Sequence, residues 1–198
     1  YIMEADPEAS IIIGFNKNVS REEYQTHLAD KTLSRLLHYE KVSHGDMFFI
    51  PAGKIHAIGA GVLLAEIQQT SDITYRVYDF DRKDKNGNYR ELHTELALEA
   101  IDFERKDDFR KSYSKKENTV NPAVSSPYFT TDYLKITQET TLELSGDSFH
   151  IYMGVEGKGS LHYGDTELIL EKGNTVLVPA ACTAITLKGE VEVLQVHC

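Results

Sequence analysis

The sequence is short of cysteine, of basic residues and of long apolar runs, and each shortage removes a class of function. Cys182 and Cys198 are the only cysteines in 198 residues and stand in no metal-ligand spacing. A thiolate metal site is therefore not indicated, and the count agrees with a reducing compartment. Lys plus Arg total 21 against 31 Asp plus Glu, a formal net charge of −10. Such a field repels polyanions, so nucleic acid is not an expected partner, and a small phosphorylated ligand needs a local basic group to hold it. No apolar stretch approaches the ~20 residues that span a bilayer, and no charged-then-apolar leader is visible. No membrane partner is expected, and the cytoplasm is the expected compartment. An initiator Met is also missing: the chain opens Tyr1-Ile2-Met3-Glu4, which reads like the inside of a strand, and further residues upstream of Tyr1 are expected.

What is present is ordinary globular material, 41% hydrophobic and 26% charged. At roughly 100–200 residues per domain the length allows one large or two small units. The chemistry gathers in residues 45–82. Residues 47–50 form a short apolar run behind a Gly-Asp turn signal and ahead of Pro51 and Gly53, which predicts a buried strand entering a tight turn. Pro51 has no N–H for a ladder and Gly53 can take a positive φ. In the strand predicted over 55–58, His56 and Ile58 point one way, Ile55 and Ala57 the other. If the His56 face lines a small barrel, a neutral imidazole projects among apolar groups, a good nitrogen ligand for zinc.

Residues 62–69 predict a strand with Leu64, Glu66 and Gln68 on the face of Val62, and residues 73–78 return as a strand after a Ser71-Asp72 turn. Thr74, Arg76 and Tyr78 then share a face. A buried arginine is costly unless its charge is matched; a bound anion and an ion pair to Asp72 or Glu66 both satisfy that need. Glu66 on its own reads first as a solvent-facing or ion-paired strand residue, with hydrogen bonding to ligand hydroxyl groups or service as a base as the functional alternative. Residues 79–88 form a charged loop with Asn86-Gly87 at its tip. Arg76 and Arg82 are the candidate basic groups for a phosphate, with a solvated loop charge as the alternative for Arg82.

Elsewhere, Ser20 with Glu23 forms a capping box, and Tyr24, Leu28, Leu33, Leu36 and Leu37 recur at helical spacing, predicting one or two helices over 20–38. His27 and His38 are read as surface or packing histidines. Residues 94–103 predict a short helix with Leu96, Ile101 and Phe103 toward the core, preceded by His93, read as a packing or hydrogen-bonding histidine and not a ligand. The polar stretch 104–128 reads as a linker. Beyond it, residues 129–136, 140–144, 149–155, 160–163, 167–170, 175–178, 184–187 and 191–196 predict eight short strands of a sandwich or barrel. Gly173 and Pro179 repeat the interval of Gly45 and Pro51, with Ala181 in place of the turn glycine and Ala184 in place of the histidine. This predicts a second barrel without metal, in which His150, His162 and His197 form no ligand-like cluster. The fold class is mainly β, organised as 1–103, a linker 104–128, and 129–198.

The spacing of Gly45, Pro51, Gly53 and His56 resembles the second signature of the cupin superfamily. QQTSDITYRVYDFDRKDKNGNYRELH, residues 68–93, looks like the corresponding segment of type I phosphomannose isomerases, zinc enzymes that interconvert mannose 6-phosphate and fructose 6-phosphate. The resemblance extends over essentially the whole chain, as the C-terminal two-thirds of the short bacterial form. It implies a bicupin of double-stranded β-helix barrels with a small helical insertion, and one Zn2+ with His56 as a ligand and the remaining ligands upstream of Tyr1. It further implies a catalytic Arg76, a phosphorylated hexose contacted by Glu66 and Asp72, and a phosphate oriented by Arg82. The chemistry is coherent, since moving a proton between C1 and C2 builds negative charge on an enediolate oxygen that a guanidinium and a metal stabilise. The catalytic base is not assigned, and the chain alone is expected to be inactive. A non-enzymatic sugar-phosphate-binding bicupin is the alternative. An iron-dependent dioxygenase is disfavoured because its His-x-His signature is absent from these residues.

Overall fold

The computed structural model describes residues 1–71, 73–79 and 82–198. It divides into two compact units, Tyr1–Leu64 with Thr70–Arg110, and Ala65–Gln69 with Lys111–Cys198.

In the first unit the strands are β1 (Ile2–Ala5), β2 (Ser10–Phe15), β3 (Leu37–Lys41), β4 (Met47–Phe48), β5 (His56–Ile58) and β6 (Val62–Leu64). β2 lies between β3 and β5, and β1 pairs with β6. The run Ile11-Ile12-Ile13 does not alternate with polar residues because β2 is covered on both sides. Ile12 and Phe15 join Tyr24, Leu33, Leu36 and Leu37 in one cluster, while Ile11 joins Ile2, Ala9 and Val42 in another.

The helix α1 (Arg21–Ala29) starts where the capping box predicts, with the Glu23 N–H donating to Ser20 Oγ at 3.1 Å. It ends at Asp30, well short of 38. Leu33 and Leu36 belong to a 3-10 turn (Leu33–Arg35) and its cap, and Leu37 and His38 to β3. The apolar spacing that reads as one or two helices is therefore shared among three elements that fill one cluster. The second helix, α2 (Thr94–Ala100), buries Ala97 and leaves Leu96 58% exposed. Ile101 and Phe103 reach the core from beyond the helix end, not from its face. Among the described residues no helix is long and apolar enough to cross a membrane.

A two-residue strand, β7 (Arg110–Lys111), marks the change of unit. The second unit holds β8 (Asn121–Ser125), β9 (Thr130–Ile136), β10 (Thr140–Glu143), β11 (His150–Tyr163), β12 (Thr166–Glu171), β13 (Thr175–Val178) and β14 (Ala184–His197). Their order is β12-β11-β14-β9-β8, with β10 on β14 and β13 on β11. β8 arises inside the stretch read as linker. Its buried Asn121 donates to the carbonyls of Lys116, Thr119 and Tyr133 and accepts the Lys116 N–H, so a polar side chain anchors a strand that apolar pattern does not announce.

Four predicted strands fuse into two. Gly157, Gly159 and Gly189 are bends within β11 and β14, not turns between shorter strands. Gly159 faces Gly189 in register, and a Cβ on Gly189 would stand 2.7 Å from the Gly159 Cα. That approach is open only to glycine. β11 pairs with β13 over its first residues and with β12 over its last, while β14 accompanies it throughout. The core beneath is Leu134, Tyr152, Leu170, Leu187 and Val193, all closed to solvent.

Candidate active site

The first corner is built as its composition predicts. The Lys54 N–H donates to the Pro51 carbonyl at 3.2 Å, closing a turn in which Gly53 takes φ +83°. The Gly53 carbonyl accepts the Asp102 N–H at 2.8 Å, and a Cβ on Gly53 would collide with the Ala100 carbonyl oxygen. His56 opens β5 opposite Ile13 of β2. Ile55 and Ala57 pack into the Phe15 and Tyr24 cluster, so the alternation is as expected. The face of His56 is not enclosed, however: His56 and Ile58 are both exposed.

The imidazole is nonetheless oriented. His56 Nδ1 is 2.8 Å from the Lys54 carbonyl oxygen. A carbonyl only accepts, so Nδ1 carries a proton, and in the neutral ring Nε2 is the nitrogen that keeps the lone pair. A backbone carbonyl on one ring nitrogen with the other left free is the arrangement found behind metal-bound histidines. His56 therefore fits as a zinc ligand. Among the described residues, however, no group of three or more His, Cys, Asp or Glu side chains could hold a metal. These residues supply one ligand and not a whole site.

Arg76 lies in an extended segment that is not a ladder strand. Its N–H donates to His93 Nδ1 at 3.0 Å, its carbonyl accepts the His93 N–H at 2.8 Å, and its guanidinium Nη1 donates to the Glu91 carbonyl at 3.1 Å. His93 thus has a hydrogen-bonding role, standing in for the neighbouring strand at both the N–H and the carbonyl of one residue. Among the described residues no carboxylate pairs with the half-buried Arg76 guanidinium. Asp72, the other partner considered, lies outside the described residues.

Glu66 departs from its predicted place. β6 stops at Leu64; Val62 and Leu64 pack on the Ile2 and Ile11 cluster, while Glu66 is exposed in a segment that groups with the second unit. A continued strand would turn the carboxylate toward that apolar cluster, and ending the strand avoids the cost.

Arg82 is paired. Its Nη2 and Nε lie 2.6 and 3.2 Å from Asp79 Oδ1. Arg90 joins from the far side of the loop, with Nε 2.7 Å from Asp79 Oδ2 and Nη2 bonded to Oδ1. The Asp79 carboxyl is held well below the usual carboxylate range, first by the Arg90 hydrogen bond, with burial opposing and Arg82 adding. Two guanidiniums on one carboxylate leave a net positive edge, with the arginine side chains 64% and 47% exposed. Asp79 and Arg90 are absent from the sequence-based site. The available signal is the Asn86-Gly87 tip, whose bonds from Gly87 N–H to the Asp84 carbonyl and Asp84 N–H to the Asn88 carbonyl fold residue 79 back toward residue 90.

In the second unit the corner recurs. The Cys182 N–H donates to the Pro179 carbonyl at 3.0 Å, and Ala184 opens β14 as His56 opens β5, with a methyl where the imidazole stands. His150 and His197, read from the sequence as forming no ligand-like cluster, are neighbours in the sheet. Their rings stack at 5.1 Å, His197 Nε2 is 3.2 Å from Asp132 Oδ2, and His150 Nδ1 is 3.0 Å from Gln195 Nε2. Burial, then the neighbouring His197, pushes the His150 pKa below the ordinary histidine value.

Glycine-bent strands shared across the second unit, with the proline turn leading into β14, define a cupin fold. Residues 119–198 match the family model of the mannose-6-phosphate isomerase cupin domain. Residues 119–198 are thus similar to the cupin domain of mannose-6-phosphate isomerases, and the similarity to these proteins extends over the whole chain. It is 31% identical over 199 residues to mannose-6-phosphate isomerase ManA of Bacillus subtilis and 31% identical over 198 residues to the mannose-6-phosphate isomerase of Streptococcus mutans, covering all of this chain and 62% of either relative. The crystal structure of a mannose 6-phosphate isomerase from Bacillus subtilis superposes with a TM-score of 0.89 at 34% identity, over 100% of this chain and 63% of that one. The chain therefore spans less than two-thirds of the length of the proteins it matches.

Proposed function

We propose that the chain serves a zinc-dependent aldose–ketose isomerase of the cytoplasm that interconverts mannose 6-phosphate and fructose 6-phosphate, built as a bicupin whose second barrel has lost its metal. The observation that carries this reading is Arg76. Its backbone is locked by His93, and its guanidinium bonds a neutral carbonyl, with no carboxylate partner among the described residues. A cation held so, within twenty residues of an oriented imidazole, is suited to an oxygen that becomes anionic only during reaction. His56 would hold the ion through Nε2, with the other ligands expected from residues before Tyr1. When bound, zinc supplies Lewis acidity to the sugar oxygens. Arg76 stabilises the enediolate charge as the proton moves between C1 and C2, Arg82 orients the phosphate, and Glu66 and Asp72 hold hydroxyl groups.

The test is turnover and zinc content in the complete polypeptide, with the chain starting at Tyr1 as the inactive comparison. Arg76→Ala is expected to lower turnover by about 10²–10³-fold, the usual loss for a transition-state charge stabiliser, and to leave zinc content unchanged. Equal loss of both places Arg76 in a structural role. The second reading is a sugar-phosphate-binding bicupin without a metal. That reading wins if the complete polypeptide binds sugar phosphate but no metal.

A further inference from the structure

Lys54 is the unexplained side chain of the corner. It is 3% exposed in a turn at the surface of the unit, a position where lysine is rare. Its Nζ lies 2.9 Å from Asp102 Oδ2, donates to the Glu104 carbonyl at 3.1 Å and stands 5.1 Å from the centroid of the Phe109 ring. Its own N–H is bonded to Pro51, and its carbonyl holds His56 Nδ1 at 2.8 Å. Asp102 is in turn tied to Lys106 at 2.8 Å, and its carboxyl lies well below the usual range, through Lys106 first and then Lys54. Burying an ammonium to make one ion pair adds little net stability, since an apolar side chain of the same length often does as well. What the pair adds here is direction. Residue 54 is fixed through its amide and through the end of its side chain, so its carbonyl has one orientation.

We infer that Lys54 is a positioning residue for His56, anchoring residue 54 through Asp102, Glu104 and Phe109 so that its carbonyl holds the imidazole with the proton on Nδ1 and Nε2 free for a metal. The inference rests on the reading of His56 as a zinc ligand only for the purpose of that orientation; the orientation itself is measurable without metal.

The experiment uses the 198-residue chain and the nitrogen-15 spectrum of its histidine rings, with ZnCl2 as the metal probe. The wild type shows His56 as a single tautomer protonated at Nδ1. Lys54→Met leaves Asp102 its bond to Lys106, so no buried carboxylate is orphaned and the unit is expected to fold. In that variant the His56 ring nitrogens move toward a common average of two tautomers, and ZnCl2 perturbs the ring about 10–100-fold more weakly, the usual cost of losing support behind a ligand. A folded Lys54→Met chain with an unchanged tautomer overturns the proposal. If that variant does not fold, Asp102→Asn decides, because it weakens the anchor while leaving Lys54 an acceptor oxygen. A mixed tautomer supports the proposal and an unchanged one overturns it. A tautomer that shifts in the variant while neither chain responds to ZnCl2 supports the positioning role and sinks the metal reading, so the two failures are distinguishable.

Discussion

Replacing Gly53 with alanine tests whether the corner is set by backbone conformation alone or by its contact with the end of α2. Gly87, in the exposed loop of the same unit, is the natural control: its φ is +84° against +83° at Gly53, and nothing stands within 4 Å of a Cβ built on it. Gly87→Ala therefore meets only the left-handed penalty, about 1–2 kcal/mol. Gly53→Ala meets the same penalty and also drives a methyl into the Ala100 carbonyl. Overpacking of that kind costs about 1–3 kcal/mol. Moving residues 100–102 aside also strains the Asp102 N–H bond to the Gly53 carbonyl, a loss of about 1 kcal/mol. Gly53→Ala should accordingly be about 2–4 kcal/mol worse than Gly87→Ala. Urea unfolding of both variants followed by far-UV circular dichroism, with the Tyr24 ring resonances reporting on the first unit, gives the comparison; midpoints should fall while the m-value stays constant. Equal losses in the two variants would refute the reasoning, because they would mean that the end of α2 yields without cost.

Other consequences are as direct. Tyr24 is fully buried against Phe15 and Phe103, its hydroxyl has no hydrogen-bond partner among the described residues, and burial pushes its pKa up to about 12. Tyr24→Phe should therefore be neutral or stabilise by about 1 kcal/mol in thermal unfolding. The Asp79 carboxyl is depressed by Arg90 and Arg82, so its contribution is complete above the ordinary carboxylate pKa of about 3.9 and is lost as pH falls through the lower folded value. Asp79→Asn should lower Tm at neutral pH and flatten the part of the Tm–pH curve below about pH 4 that the wild type shows. Leu134, closed to solvent between β14 and β8, should cost about 2–5 kcal/mol when cut to alanine, read from the urea midpoint of the second unit.

The parts legible in the sequence are those in which one residue type permits one geometry. Gly53 with Pro51 specified a turn, Ser20 with Glu23 specified a helix start, and alternation around His56 placed Ile55 and Ala57 inward. Failures have a common physical origin: a local pattern served more than one element. Leu33, Leu36 and Leu37 keep helical spacing because three elements converge on one cluster. Gly157, Gly159 and Gly189 look like turn signals because close strand approach and chain reversal both need a missing side chain. β8 was invisible because its anchor is the buried amide of Asn121 and not apolar pattern. At the candidate site, Arg76 and His56 stand out in the sequence as single residues, while their partners, the Lys54 carbonyl, His93 and the Glu91 carbonyl, are spatial neighbours that spacing does not rank. The Asp79 and Arg90 pair needed the loop to close before it could be seen.

The two bent strands of the second unit carry a consequence for how that unit comes apart. Since β11 and β14 pair with each other along nearly their whole length, and β9, β10, β12 and β13 each pair with one of the two, the two long strands cannot separate without dismantling the sheet that the others hang on. Amide exchange at Tyr152, near one end of β11, and at Leu161, near the other, should therefore proceed through a single opening event with one free energy.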